Sequence, residues 1–463
     1  MAGSTLAIVW ETGMDPMLYA STNGQTPKVG LAQALMQGQA PDKGLYLPVA
    51  IPRFAPGELR SLRDRSYPEI AAAVLAKFAS RTFPPETLEV MCREAYDFDV
   101  PIERVDDRRH VLRLDRGPTA SFKDFAGRMM GQMFGRLRRD TPGRLVILTA
   151  TSGDTGSAVA HAFYRIPKIE VMVLFPPAEV SPRQRKQMTT LGENITAVGV
   201  EGKFDDCQAL VKQAFTDPTL AGVQLTSANS INIGRLLPQI VYYVYAAVRL
   251  APEGPILFSV PSGNFGNMMG ALLAARMGVP VERIIVATNR NDEVPRFMET
   301  GRYEKIVPSR HCISNAMNVG HPSNFARVFS LFGGWLDETG TVRRMPDMEG
   351  MRELLWASSV SDEETRETIR RAWQERRLLL EPHGAVGWLG LERYLGAHPS
   401  SAVAVCVETA HPAKFPEEIE RLLGFTPEAP PSLAELEQKD ERFLTMPADY
   451  GAFHRLILDT YRP

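Results

Sequence analysis

The chain has 463 residues, 44% of them hydrophobic and 23% charged, with a formal net charge of −2. That length exceeds one ordinary core, so two or three domains are expected, and the composition is that of a soluble globular protein. The charge balance argues against a nucleic-acid or membrane-surface role, both of which need a basic excess, and no apolar run approaches the roughly 20 residues that span a bilayer.

Residues 1–17 read as an extension outside the fold. Residues 5–10 are too short for a signal core and lack a basic lead. Residues 18–100 are mostly helical in pattern. A short amphipathic set covers 29–36, a turn and extended run cover 40–48, and helical spacing recurs over 67–78 and 85–96.

From about residue 110 strands and helices alternate. Continuous apolar runs at 145–149, 171–175, 195–200, 256–260, 284–288 and 403–407 read as buried parallel strands. Helices are expected over 155–164, 182–191, 204–215, 232–250 and 266–277. The alternation predicts an α/β fold of open, mostly parallel sheets wound with helices. Residues 301–344 read as an irregular, lid-like segment. Ser361 and Glu364 form a capping box opening a helix to residue 376, and a Pro-rich tail from 425 leads to a last helix over 450–461.

Cys92, Cys207, Cys312 and Cys406 lie far apart with no C-x-x-C, the pattern of buried thiols in a reducing compartment. A cytoplasmic location is expected. His161, His311, His321, His383 and His411 are scattered without ligand spacing, so no metal site is expected.

Residues 117–125 read Gly-Pro-Thr-Ala-Ser-Phe-Lys-Asp-Phe. Lys123 stands between two phenylalanines and behind a small hydroxyl residue. Low dielectric disfavours the charged form and leaves a nucleophilic amine that can condense with an aldehyde. The same residues also describe a surface lysine whose stem packs on aromatics. Asp124 reads as a local cap.

Three turns follow strand ends, where parallel sheets bind ligands. Residues 149–156 bring the hydroxyls of Thr151, Ser152 and Thr155 to a helix N-terminus beside Asp154, a cradle for a carboxylate. In residues 261–267, Gly263 and Gly266 allow close backbone approach at a helix start, with Asn264, Phe265 and Asn267 beside them, and a phosphate is the natural guest. Residues 227–235 set Asn229, Ser230 and Arg235 at a helix entrance. They suit a second anion, or equally an N-cap with a surface arginine. Neither the dinucleotide glycine pattern nor a Gly-Lys-Ser/Thr loop is present. Pyridoxal phosphate would satisfy the lysine and the phosphate cup. An amino acid carrying its own phosphate would satisfy the cradle and the second anion site.

These motifs, with 40–48 and Glu408-Thr409-Ala410-His411-Pro412-Ala413-Lys414-Phe415, make the chain resemble the long-form threonine synthases of many bacteria and yeasts. Those are pyridoxal-phosphate enzymes of fold type II, built like the tryptophan synthase β subunit. The resemblance runs from about Ser21 to the C-terminus. It implies a helical N-terminal domain (18–100), a large cofactor domain (101–144 with 226–424), a small mobile domain (145–225) and a tail (425–463). It implies that Lys123 is the Schiff-base lysine and that Gly263, Asn264, Phe265, Gly266 and Asn267 hold the cofactor phosphate. Thr409 would face the pyridine nitrogen and, as a neutral hydroxyl, leave it unprotonated. Thr151, Ser152, Asp154 and Thr155 would bind the substrate carboxylate end, and Asn229, Ser230 and Arg235 its phosphate.

The activity implied is a β,γ-elimination and replacement. It turns O-phospho-L-homoserine and water into L-threonine and phosphate at the end of threonine biosynthesis, a carbon–oxygen lyase reaction on a phosphate. A serine/threonine dehydratase or cysteine synthase of the same fold is the rival, and it needs no second anion site. A catalytically dead sensor would not need Lys123 and the phosphate cup together. Long forms tend to be monomers, with a dimer as the alternative. Two departures stand out. The wider family has Asn where this chain has Asp154, and an ionised Asp would sit poorly beside a phenolate oxygen. Asn23 stands where the resemblance predicts an arginine that helps bind substrate, so another group must serve.

Overall fold

The computed structural model describes residues 17–151, 153–252 and 254–461. Most of the expected extension therefore lies outside the described residues, and so does Ser152.

Strand β1 (Tyr19–Ser21), helix α1 (Leu31–Gln37) and strand β2 (Tyr46–Pro48) come first, the two strands pairing antiparallel. Helices α2 (Tyr67–Ala79) and α3 (Pro85–Ala95) follow where the apolar spacing predicts them, α2 behind a Ser66–Glu69 capping box. Strands β3 (Ile102–Arg104) and β4 (Arg109–Arg113) lead to α4 (Lys123–Arg138).

Helix α4 is one the periodicity does not announce. Gly127, Gly131 and Gly135 lower its intrinsic propensity. Their spacing of four puts them on one face, against the next helix, α5 (Asp154–Phe163). A Cβ on Gly131 would stand 2.4 Å from the Ala162 carbonyl oxygen, and one on Gly127 would stand 3.3 Å from that of Ala158. Missing side chains here permit close packing. Gly131→Ala is therefore expected to destabilise the protein by about 1–2 kcal/mol in urea unfolding, because overpacking against backbone outweighs the helix-propensity gain. A more stable variant would refute this reading.

The alternation continues with β5 (Leu145–Ala150) ahead of α5. Then come β6 (Ile169–Phe175), α6 (Pro182–Thr189), β7 (Ile195–Glu201), α7 (Phe204–Thr216) and β8 (Gln224–Thr226). The single helix expected over 232–250 is two, α8 (Ile233–Leu236) and α9 (Gln239–Leu250). Pro238 stands between them, and it lacks the N–H that would continue the ladder.

Strand β9 (Ile256–Pro261), helix α10 (Gly266–Arg276) and strand β10 (Val281–Thr288) match expectation. The segment expected as an irregular lid contains helix α11 (Phe325–Leu331), whose Phe325, Val328 and Phe329 are fully buried. That part is core. The remaining principal elements are β11 (Leu355–Ser359), α12 (Asp362–Arg376) with its Ser361–Glu364 capping box, α13 (Pro382–Ala397), β12 (Val403–Glu408), β13 (Leu444–Pro447) and α14 (Tyr450–Tyr461).

Two open sheets result. The larger has the order β11-β10-β9-β12-β4-β3 and is parallel except for β3. The smaller has the order β13-β7-β6-β5-β8 and is wholly parallel. The stretch expected as a tail thus supplies an edge strand: β13 pairs with β7, and α14 buries Phe453 and Ile457 in a cluster shared with Leu210 and Val211 of α7. One apolar cluster joins α2, α3, α4, α9 and α10 to faces of both sheets, and the far face of the larger sheet packs on α12 and α13. No helix among the described residues is long and apolar enough to cross a membrane.

Candidate active site

The lysine turn links the end of β4 to the first residue of α4. Its geometry is set by Asp124, whose carboxylate accepts from the Thr119 amide at 2.8 Å and the Thr119 hydroxyl at 2.6 Å. Ala120 takes a left-handed conformation, φ 53°. The Phe122 amide donates to the Thr409 carbonyl at 2.9 Å, and Ser121 bridges Ala410. The turn after β4 is therefore sewn to the turn after β12. Lys123 Nζ lies 4.7 Å from the Phe122 ring centroid and 3.7 Å from Asp154 Oδ2. Burial pushes its pKa down, Asp154 pulls it up, and Lys414 and Arg235 push it down again.

Asp154 opens α5. Its Oδ1 takes a 2.6 Å ion pair from Lys414 and a 3.0 Å hydrogen bond from Gln184 Nε2. Burial alone would raise its pKa, yet Lys414 and Lys123 together hold it well below the usual carboxylate range. Asp154 is thus an ion shared between two lysines. Lys414 has no exposed side-chain surface and also donates to the Thr119 carbonyl at 2.9 Å.

The hydroxyl of Thr151 accepts from the Gly153 amide at 2.9 Å and the Gly156 amide at 2.8 Å, so it shapes the cradle. Gly153 sits at φ 141°, and Thr155 is half-buried on the first turn of α5.

The third and second turns meet each other. Asn264 Nδ2 donates to Ser230 Oγ at 2.5 Å, and its Oδ1 accepts the Ser323 amide at 2.6 Å. Thr149 Oγ1 donates to Asn229 at 2.8 Å. A Cβ on Gly263 would strike the Ala316 carbonyl at 2.8 Å, whereas one on Gly266 would stand 3.5 to 3.8 Å from Gln239, Asn324 and Ser230. A side chain at 266 would therefore touch these three polar residues at ordinary contact distance. Phe265 enters α10 at φ 63° and packs against Phe325.

Asn267 Oδ1 accepts from Tyr242 and Tyr243 at 2.6 and 2.7 Å, and its Nδ2 is buried with no partner. Arg235 is buried, donates from Nη1 to the Ala228 carbonyl at 2.9 Å and leaves Nε unpartnered. Burial lowers its pKa to about 10. Gln239 donates to the Arg235 carbonyl and accepts from Tyr242, packing between the two residues.

Thr409 Oγ1 lies 3.4 Å from Glu381 Oε1. Glu381 caps α13 by accepting from the amides of His383 and Gly384 and from His383 Nδ1 at 2.6 Å. Glu408 is buried beside it, with Arg113 at 3.7 Å, and burial next to Glu381 raises its pKa well above the usual range.

Lys123, Asp154 and Thr409 are therefore brought together, and so are Ser230, Asn264, Gly266 and Asn267, with Arg235 beneath. Sequence reasoning missed Lys414, Glu381, Gln184 and Arg327. Lys414 had a signal, being a lysine six residues past a strand end; the others depend on partners remote in sequence. Asn23 bonds the Asp42 carbonyl and Glu338 and accepts from Trp335, tying β1 to residues 335–338. All four cysteines are buried and free, and burial pushes Cys92 and Cys207 up to about 12.

Comparison with known proteins adds three matches to family models. They are "Pyridoxal-phosphate dependent enzyme" over residues 104–410, "Threonine synthase N terminus" over 18–96 and "Threonine synthase, C-terminal" over 384–457. The chain is 41% identical over 435 residues to the threonine synthase of Escherichia coli K12, covering 93% of this chain and 97% of the other. The crystal structure of PLP-bound threonine synthase from Brucella melitensis superposes with a TM-score of 0.89 at 36% identity, covering 96% and 100% of the two chains. That of threonine synthase from yeast superposes with a TM-score of 0.88 at 29% identity, covering 95% and 98%.

Proposed function

We infer the roles of these residues from one premise: the chain belongs to the threonine synthase family. It converts O-phospho-L-homoserine and water to L-threonine and phosphate with pyridoxal 5'-phosphate. The site fits that cofactor. Lys123 offers an amine in a buried setting. The orphaned Asn267 donor, the polar neighbours of Gly266 and the first-turn amides of α10 make a setting suited to an anion. The observation that carries the reading is the pair of buried, unpartnered donors, Asn267 Nδ2 and Arg235 Nε. A site for two anions leaves such donors waiting.

When bound, the cofactor supplies an electron sink for charge developing on the substrate. Lys123 would link to its aldehyde and, once free, would take protons from the substrate Cα and Cβ and return protons at Cγ, after phosphate leaves, and at Cα. Gly263, Asn264, Phe265, Gly266 and Asn267 would hold the cofactor phosphate, and Thr409 would serve its ring nitrogen. Thr151, Ser152 and Thr155 seat the substrate carboxylate. Asn229, Ser230 and Arg235 hold the substrate phosphate and stabilise it as it leaves Cγ. Closure of the smaller sheet's domain (145–225, with the edge strand 444–447 and the last helix) on the larger would exclude bulk water until one molecule adds at Cβ. A reducing cytoplasm suits four free buried thiols.

Reduction with borohydride followed by peptide mapping is expected to place the cofactor on Lys123. An adduct on Lys414 or elsewhere would overturn the assignment. Arg235→Ala is expected to lower kcat/KM for phosphate release about 100-fold while the cofactor stays bound. Unchanged kinetics would remove Arg235 from the phosphate site.

A further inference from the structure

Two lysines flank one carboxylate here, and the mechanism above uses one of them. Lys414, on the turn after β12, reaches Asp154 Oδ1 at 2.6 Å, while Lys123 stands 3.7 Å from Oδ2. Gln184 and the Thr119 carbonyl fix the closer pair from either side. We propose that Lys414 is a positioning residue for the reaction: by claiming Asp154 it sets how tightly Lys123 holds a proton. The proposal rests on Lys123 being the proton-transferring lysine.

The physical argument is one of competition. A lysine alone with a buried carboxylate would keep its proton as a tight ion pair and would be a poor nucleophile. A lysine with no carboxylate, in a buried site with other cations, would hold a proton poorly. Lys414 puts Lys123 between these limits, because Asp154 is already neutralised at the shorter distance and offers only its second oxygen. The amine can then accept a proton from Cα or Cβ and release it at Cγ. The charged groups facing Lys123 are Asp154 from α5, Lys414, Arg235 from α8 and Glu381 ahead of α13. Asp124 is turned back onto Thr119 and faces His161 from α5. The arrangement also accounts for an ionised Asp154 in a buried site: Lys414 neutralises it.

The test uses the apoprotein, so it reads the amine and not turnover. Competitive acetylation with acetic anhydride across a pH series, followed by mass spectrometry, gives the titration midpoint of Lys123 against exposed Lys43 as internal standard. Asp154→Asn is expected to lower the midpoint by on the order of one pH unit and Lys414→Met to raise it by a similar amount. The double variant should return close to the parent. A merely structural role would leave the midpoints unmoved or shift both singles the same way, and either result overturns the proposal. If Lys414→Met does not fold, Lys414→Gln takes its place with the same expected rise, and an unchanged or lower midpoint overturns the proposal. Borohydride mapping of the holoenzyme separately tests whether Lys123 carries the cofactor, so the two failures are distinguishable.

Discussion

Lys123→Ala is expected to lower threonine formation by at least about 10³-fold and to abolish the borohydride-stable cofactor adduct. The magnitude follows from losing both the cofactor linkage and the group that moves protons at Cα and Cβ. No neighbour can replace it. Lys414, the nearest other amine, is bonded to Asp154 and the Thr119 carbonyl and has no exposed surface. Stability should change little, by under about 1 kcal/mol, since Asp154 keeps Lys414 and Gln184 as partners. Steady-state rates, peptide mapping and a thermal melt together check this. Activity within tenfold of the parent would remove Lys123 from the chemistry, and a collapsed melting temperature would make the result one about folding.

Arg327→Met carries the largest expected stability loss, about 3–5 kcal/mol in urea unfolding. Arg327 is fully buried on α11, and among the described residues no carboxylate pairs with it. Carbonyl-type acceptors from three segments satisfy it instead. Nε donates to the Tyr46 carbonyl at 3.0 Å, Nη2 to the Ile231 carbonyl at 2.6 Å and Nη1 to Asn324 Oδ1 at 2.5 Å. Methionine fills most of the volume and strands those acceptors in the interior. The same residue bolts the Ser230 turn, so KM for the phosphorylated substrate should rise as stability falls. Arg327→Lys should recover only part of the loss, because a point ammonium cannot reproduce the guanidinium fork. A methionine variant within 1 kcal/mol of the parent would show that these acceptors find water or each other.

Much of the scaffold is legible in order along the chain. Buried parallel strands are continuous apolar runs, and β5, β6, β7, β9, β10 and β12 appear where such runs stand. Short or half-exposed strands such as β3, β8 and β13 escape, because three or four residues carry no period. Helix α4 escapes for a sharper reason. Its glycines read as breakers locally and as contact points only once α5 lies against them. Pro238 works the other way, being a plain local signal that divides a run the apolar spacing would join.

By itself the sequence determined the class of fold and which turns carry hydroxyls, amides and the lysine, since these follow from residue type and near-neighbour spacing. Only the tertiary structure decided which charges share a site. Lys414 meets Asp154, and Arg327 meets Tyr46 and Ile231, across separations at which no periodicity operates. The physical reason is burial. A lysine or arginine in water needs no particular partner, so its sequence context says little about one. Once the sheets and helices close over it, the cost of an unsatisfied charge makes one arrangement of partners obligatory.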